Sequence, residues 1–206
     1  MTFPDKKFVS VDRFCDEYFK NLSEAAALLD REAISTAANT IESCFNEGKW
    51  LYVCGNGGSA AIANHLLCDF AKCIQTDTHI KPKVISLSSN LEIITAISND
   101  ISYEDCFSYQ LSTSAQPGDT LITISASGDS ENIVRATQWA SQNKLNTISL
   151  TGFDGGRSAS IADINIHVFG NNYGIIEDIH HSIMHIISQY LRQSYMDEET
   201  ISKKTF

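Results

Sequence analysis

Basic residues are scarce in this chain: 15 Lys and Arg stand against 25 Asp and Glu, a net charge of −10 over 206 residues. The pI is near 4.9. That deficit argues against a nucleic-acid binder, whose phosphate contacts require a basic face. It says little against a small anionic ligand, because a local nest of N–H groups can outweigh the global charge. No apolar run approaches the roughly 20 residues that span a bilayer, so no membrane partner is expected. Met1-Thr-Phe-Pro-Asp-Lys-Lys carries charge with no apolar core behind it, unlike a signal peptide. The six cysteines form no CxxC pair and fall mostly in apolar patterns. They read as buried thiols of a reducing compartment, which predicts a cytoplasmic protein. Linkers, repeats and low-complexity stretches are absent as well. A single domain over 1–206 is the expectation.

What is present is an alternation of strand and helix patterns. Two helical stretches come first. Residues 8–30 carry Phe14, Phe19, Leu22, Ala26 and Leu29 at helical spacing, and residues 31–47 carry Ile34, Ala38, Ile41 and Phe45. Gly48 ends the second. Strands are predicted at 50–54, 83–87, 120–125, 146–151 and 163–168. Helices are predicted at 59–73, 90–97, 103–115, 131–143 and 175–193. The tail after Tyr195 is polar and reads as frayed. This order predicts an α/β fold with a parallel sheet over 49–195, helices on both faces, and N-terminal helices over 1–48. Those extra helices and the long last one offer apolar faces to another copy of the chain, so a homo-oligomer is expected.

Two strand–turn–helix junctions suit a ligand. Cys54-Gly-Asn-Gly-Gly-Ser59 follows the first strand, and Ser125-Ala-Ser-Gly-Asp-Ser-Glu-Asn132 follows the third. In the second, hydroxyls, a glycine and the free N–H groups of the next helix suit a phosphate. Ligands of parallel sheets collect beyond the carboxyl ends of the strands, where both turns lie.

A second cluster involves histidines. His65 and Asp69 are one turn apart on the helix after the first turn. On the last helix Glu177, His181 and His185 fall within about 80° of one another at 100° per residue. Ile176, Ile179, Ile183 and Ile186 fall on the opposite side. His180 and His181 are adjacent, so only one can point with His185; they are candidates for a supporting or surface role. His79 and His167 read as structural.

Taken together, Gly55-Asn-Gly-Gly-Ser59, Asn99-Asp100, the Ser-x-Ser-Gly-x-Ser loop, Thr151-Gly-x-Asp-Gly-Gly156 and the Glu177…His185 helix resemble the sugar isomerase (SIS) domain. Within it they look most like the phosphoheptose isomerases, over nearly the whole chain. The resemblance implies a flavodoxin-like fold, a homotetramer with active sites at subunit contacts, and isomerisation of sedoheptulose 7-phosphate to glycero-manno-heptose 7-phosphate for envelope glycans. Carried over by position, it implies that Asn56, Gly57, Gly58 and Ser59 line the sugar site. Asn99 and Asp100 would contact the sugar, and Ser125, Ala126, Ser127 and Ser130 would hold the phosphate, Ala126 by backbone alone. His65, Asp69, Glu177 and His185 match a zinc site, one Zn²⁺ per chain, with Glu177 also lining the substrate. Asp69 and His185 match the acid/base pair.

Asp69 stands where characterised isomerases carry Glu, and Glu177 where they carry Gln. The first change shortens the carboxylate's reach by about 1.5 Å. The second adds charge that a divalent cation would balance. Two alternatives stay open on the sequence: an isomerase of a different phosphorylated sugar, and a non-catalytic SIS module such as a replication-initiator-binding protein. The initiator-binding type lacks the full set of polar residues at these site positions, whereas all four positions here hold residues able to bind metal.

Overall fold

The computed structural model describes residues 2–206. Helices α1 (Val11–Ala27) and α2 (Arg31–Asn46) lead into an alternating core. That core runs β1 (Trp50–Gly55), α3 (Gly58–Cys68), β2 (Lys83–Ser86), α4 (Leu91–Asp100), α5 (Cys106–Ser114), β3 (Thr120–Ser125) and α6 (Glu131–Gln142). It continues through β4 (Asn146–Thr151), α7 (Gly156–Ile161), β5 (Ile164–His167), α8 (Tyr173–Ser194) and a short α9 (Glu198–Ile201). The strands form one five-stranded sheet in the order β2-β1-β3-β4-β5, parallel throughout. Crossing outward in both directions from β1 and β3 creates a switch point between them, where parallel sheets gather ligands.

Alternation along the strands divides the core. Leu51, Val53, Ile122, Ile124, Ile148 and Leu150 face one layer with residues of α1, α2, α3 and α8. Tyr52, Cys54 and Leu121 face the other with α5 and α6. Successive side chains of a strand point to opposite faces, so each strand serves both layers. All six residues of β3 are buried, as a central parallel strand requires.

The expected α/β fold stands, with local corrections. The helix expected at 59–73 is α3 followed by one wider π-turn at Asp69–Cys73. Helix α7 begins on two glycines and is only six residues long, too short for a periodic signal. The tail contains α9, capped by the Asp197 carboxylate accepting from Thr200 N. Phe19, placed on the apolar stripe of α1, is 60% exposed, and Ile186, placed on the apolar back of α8, is 49% exposed. Phe3 folds back into the core among the rings of Phe8, Phe14 and Tyr18.

Candidate functional site

The two ligand-type turns lie side by side because β1 and β3 pair in parallel, with Gly55 opposite Ile124. They are joined by a reciprocal amide pair. Asn56 Nδ2 donates to Asn132 Oδ1 and Asn132 Nδ2 donates to Asn56 Oδ1, both at 2.9 Å. The Tyr103 hydroxyl also donates to Asn56 Oδ1, at 2.9 Å. Asn56 is therefore held by three hydrogen bonds with two side chains at the switch point. Neither Asn132 nor Tyr103 was singled out in the sequence, since amide and phenol partners carry no spacing signal.

The first turn uses its glycines for close approach. Gly57 has φ 53°, and a Cβ there would meet nothing within 4 Å, so it faces open space. A Cβ on Gly58 would lie 2.5 Å from Glu177 Oε2. The Glu177 carboxylate thus lies on the backbone at the start of α3, where N–H groups favour an anion. Burial raises its pKa, and the neighbouring Asp178 adds to the rise. The charge repulsion anticipated from a second site carboxylate comes from Asp178 rather than Asp69. Ser59 is buried under the turn.

The serine loop is locked by a second glycine turn. Gly128 N donates to the Ser125 hydroxyl at 3.1 Å, and Asp129 N to the Ser127 hydroxyl at 3.3 Å. Gly128 (φ 62°) packs backbone-to-backbone on the 152–156 turn: a Cβ there would lie 1.9 Å from Gly155 O. Ala126 O accepts from Gly152 N at 2.9 Å, and Gly128 O accepts from Ser158 N at 2.9 Å. Ser130 precedes α6 without using its hydroxyl as a cap. Arg157 bonds Asp129 Oδ1 and Asp129 O from one side of the loop and Glu131 Oε2 from the other. That ion pair holds both carboxylates below their ordinary pKa. The guanidinium is committed to protein carboxylates. That leaves hydroxyls and backbone N–H groups as the donors of the loop.

The third part of the site is where α3 meets α8. His65 Nε2 lies 3.4 Å from Asp69 Oδ1, and His185 Nε2 lies 3.5 Å from Asp69 Oδ2. His181 Nε2 lies 2.6 Å from His65 Nδ1. One donor nitrogen from each of His65, His181 and His185 falls within 4.8 Å of the others, a group able to hold a metal ion. Of the four expected positions, the structure brings His65, Asp69 and His185 together. It sets Glu177 against Gly58, and it adds His181, one turn from both Glu177 and His185. Burial depresses the His181 pKa, assisted by the two adjacent imidazoles.

His180 has a different place. It is wholly buried, with Nε2 donating to Thr151 O at 3.1 Å and Nδ1 without a partner. It props the end of β4 rather than facing the cluster. His167 bonds the Thr151 hydroxyl, in keeping with its structural reading. Asn99 and Asp100 end α4 and bond each other, Asn99 Nδ2 donating to Asp100 Oδ1 at 2.7 Å.

The chain has known relatives. Residues 13–152 match the family described as the SIS domain. The chain is 34% identical over 191 residues to the phosphoheptose isomerase of Shewanella denitrificans, covering 91% of this chain and 96% of that one. The phosphoheptose isomerase structure from Neisseria gonorrhoeae superposes with a TM-score of 0.80 at 28% identity, over 88% of this chain and 97% of that one. That from Francisella tularensis superposes with a TM-score of 0.82 at 29% identity, over 89% and 96%.

Proposed function

Since the chain belongs to the SIS-domain family and groups there with the phosphoheptose isomerases, we propose that it is an aldose–ketose isomerase acting on a phosphorylated heptose. Sedoheptulose 7-phosphate is the first substrate to test, with glycero-manno-heptose 7-phosphate as product. The observation that carries the reading is the pairing of β1 with β3, which sets the two turns at neighbouring strand ends, while the helix that leaves the first turn carries the imidazole–carboxylate cluster.

In this reading the phosphate rests in the 125–130 loop, on the hydroxyls of Ser125, Ser127 and Ser130 and the N–H groups at the start of α6. Ala126 contributes backbone only. Binding of this remote group positions the reacting carbons. Gly57, Gly58, Ser59 and Asn56 line the sugar, with Asn99 and Asp100 contributing from the end of α4. Isomerisation requires a base to take the proton from the carbon beside the carbonyl, giving an enediol. It also requires an acid to move protons between the two oxygens. Asp69 is the base and His185 the acid. Their 3.5 Å separation lets the carboxylate orient the ring.

The donors suit a metal. Neutral imidazoles and a carboxylate at the α3–α8 contact match the N and O ligands of Zn²⁺. His65, Asp69 and His185 would hold one ion per chain, with Glu177 reaching in from the start of α3. When bound, the cation polarises a substrate oxygen.

The direct test is product formation and solvent-deuterium incorporation with sedoheptulose 7-phosphate, with and without added Zn²⁺. Exchange and product in both directions are expected. Neither appearing, with the wild-type protein folded, would sink the isomerase reading. A Ser127→Ala, Ser130→Ala double variant should weaken sugar-phosphate binding by calorimetry and leave the fold intact.

A further inference from the structure

The hydrogen bond between two imidazoles from different helices is not used by the chemistry above. We propose that His181 is a positioning residue: it holds the ring of His65 so that His65 Nε2 faces the cation site beside Asp69 and His185. This rests on the metal reading of the site.

Both ring nitrogens of His65 are engaged, on opposite sides. Nε2 faces Asp69 at 3.4 Å, and His185 Nε2 faces the other oxygen of the same carboxylate at 3.5 Å. The two Nε2 atoms and Asp69 therefore enclose one volume, where an ion would sit. His181 Nε2 meets the other nitrogen of His65, Nδ1, at 2.6 Å. It is stacked on His185, with ring centroids 4.8 Å apart and planes 26° apart, and edge-on to His65 at 4.7 Å. Packing on both rings fixes its orientation.

A histidine that ligates a metal through one nitrogen normally donates the other N–H to a protein acceptor, which sets its tautomer and ring angle. In the loaded site His65 Nδ1–H donates to His181 Nε2, and Nε2 presents its lone pair to the ion. His181 carries its own proton on Nδ1. His181 adds no charge, and His65 and His185 enter the ligand set as neutral imidazoles beside the carboxylate of Asp69. A three-imidazole site, with His181 itself a ligand, is the competing arrangement of the same residues. It would require His181 Nε2 to give up His65.

The test uses the full-length protein and Zn²⁺ alone. Affinity is read by competition with a chromophoric chelator, ligand number by X-ray absorption, and the His65 tautomer by long-range ¹H–¹⁵N NMR of the loaded protein. Wild type should show two imidazoles on zinc and His65 protonated at Nδ1. His181→Leu, which removes the acceptor at similar volume, should lose about 10- to 100-fold in zinc affinity. His181→Gln, which restores an acceptor, should recover most of it. Thermal melts of the metal-free proteins separate this from a loss of fold. Unchanged affinity in His181→Leu, no recovery in His181→Gln, or three imidazoles on zinc in wild type would each overturn the positioning role. A wild type that binds no zinc would remove the metal reading, and this inference with it.

Discussion

Under the proposed isomerase reading, Asp69 is the position where the choice of sugar can be tested. Its carboxyl bridges two imidazole rings, but its reach is one methylene shorter than that of Glu. If its role is that of a catalytic base on a heptose phosphate, Asp69→Glu should keep or raise kcat. A fall of about 10²-fold, the cost expected of a 1 Å misplacement, would show a pocket shaped around Asp for another phosphorylated sugar. His185→Ala should abolish exchange of the substrate proton while phosphate affinity by calorimetry stays near wild type. His180 gives a pH prediction of its own. Burial holds its pKa at about 4, below the ordinary 6.5, with the bond to Thr151 O opposing and His167 adding to the shift. The folded protein keeps this ring neutral where the unfolded chain protonates it. Stability is therefore full above about pH 6.5 and falls as the pH drops toward 4, by about 3 kcal/mol at one pKa unit per 1.36 kcal/mol. Urea midpoints between pH 7 and 4 measure the fall. The His180 ring resonance should stay unshifted above pH 5.

At the scale of elements, the loop after β3 is built against the turn after β4. Gly128 at φ 62° and Gly156 at φ 59° meet with no room for a Cβ on either. Gly128→Ala forces a side chain into a left-handed backbone position and into Gly155 O at once. It should cost at least about 1–3 kcal/mol in urea unfolding. Milder unfolding behaviour would mean that the 152–156 turn gives way, and sugar-phosphate affinity should then drop. Arg157 joins the same two segments from the surface. Exposed ion pairs add little to stability, so Arg157→Ala should leave the melting temperature near wild type. Its effect belongs in KM, which should rise several-fold as Asp129 is released beside the bound phosphate. A KM equal to wild type would show that the glycine packing alone shapes the loop.

At the scale of the molecule, α1 and α2 are less free than their apolar stripes suggest. Ile34, Ala37, Ala38, Ile41, Cys44 and Phe45 of α2 are buried within the chain. What remains outside is a shallow apolar groove between α2 and α8, lined by Ile34, Ala38, Ile186, Ile187 and Tyr190. Ile186 and Tyr190 are about half exposed there. A homotetramer in which this groove is covered is the expected state. Sedimentation should show a tetramer at micromolar concentration, and Ile186→Asp should shift it to smaller species. A wild-type monomer would contradict the assembly and any active site shared between subunits. No helix among the described residues is long and apolar enough to cross a membrane.

The sequence by itself determined the alternation of strand and helix, both ligand-type turns and their place at strand ends. Period-2 and period-3.6 patterns and glycine clusters are local signals that each segment carries alone. It also put His65 with Asp69, because four residues on a helix is one turn. Three things were decided only by the tertiary structure. The pairing of β1 with β3 set the two turns side by side and allowed Asn56 to meet Asn132, 76 positions away. The packing of α3 on α8 chose His181 for the imidazole cluster and turned His180 into the core, since adjacent residues on a helix must point about 100° apart. The contact of Gly58 with Glu177 set that carboxylate against the start of α3, 119 positions earlier in the chain. Each of these depends on distance through space between residues far apart in the chain, which no periodicity along the chain encodes.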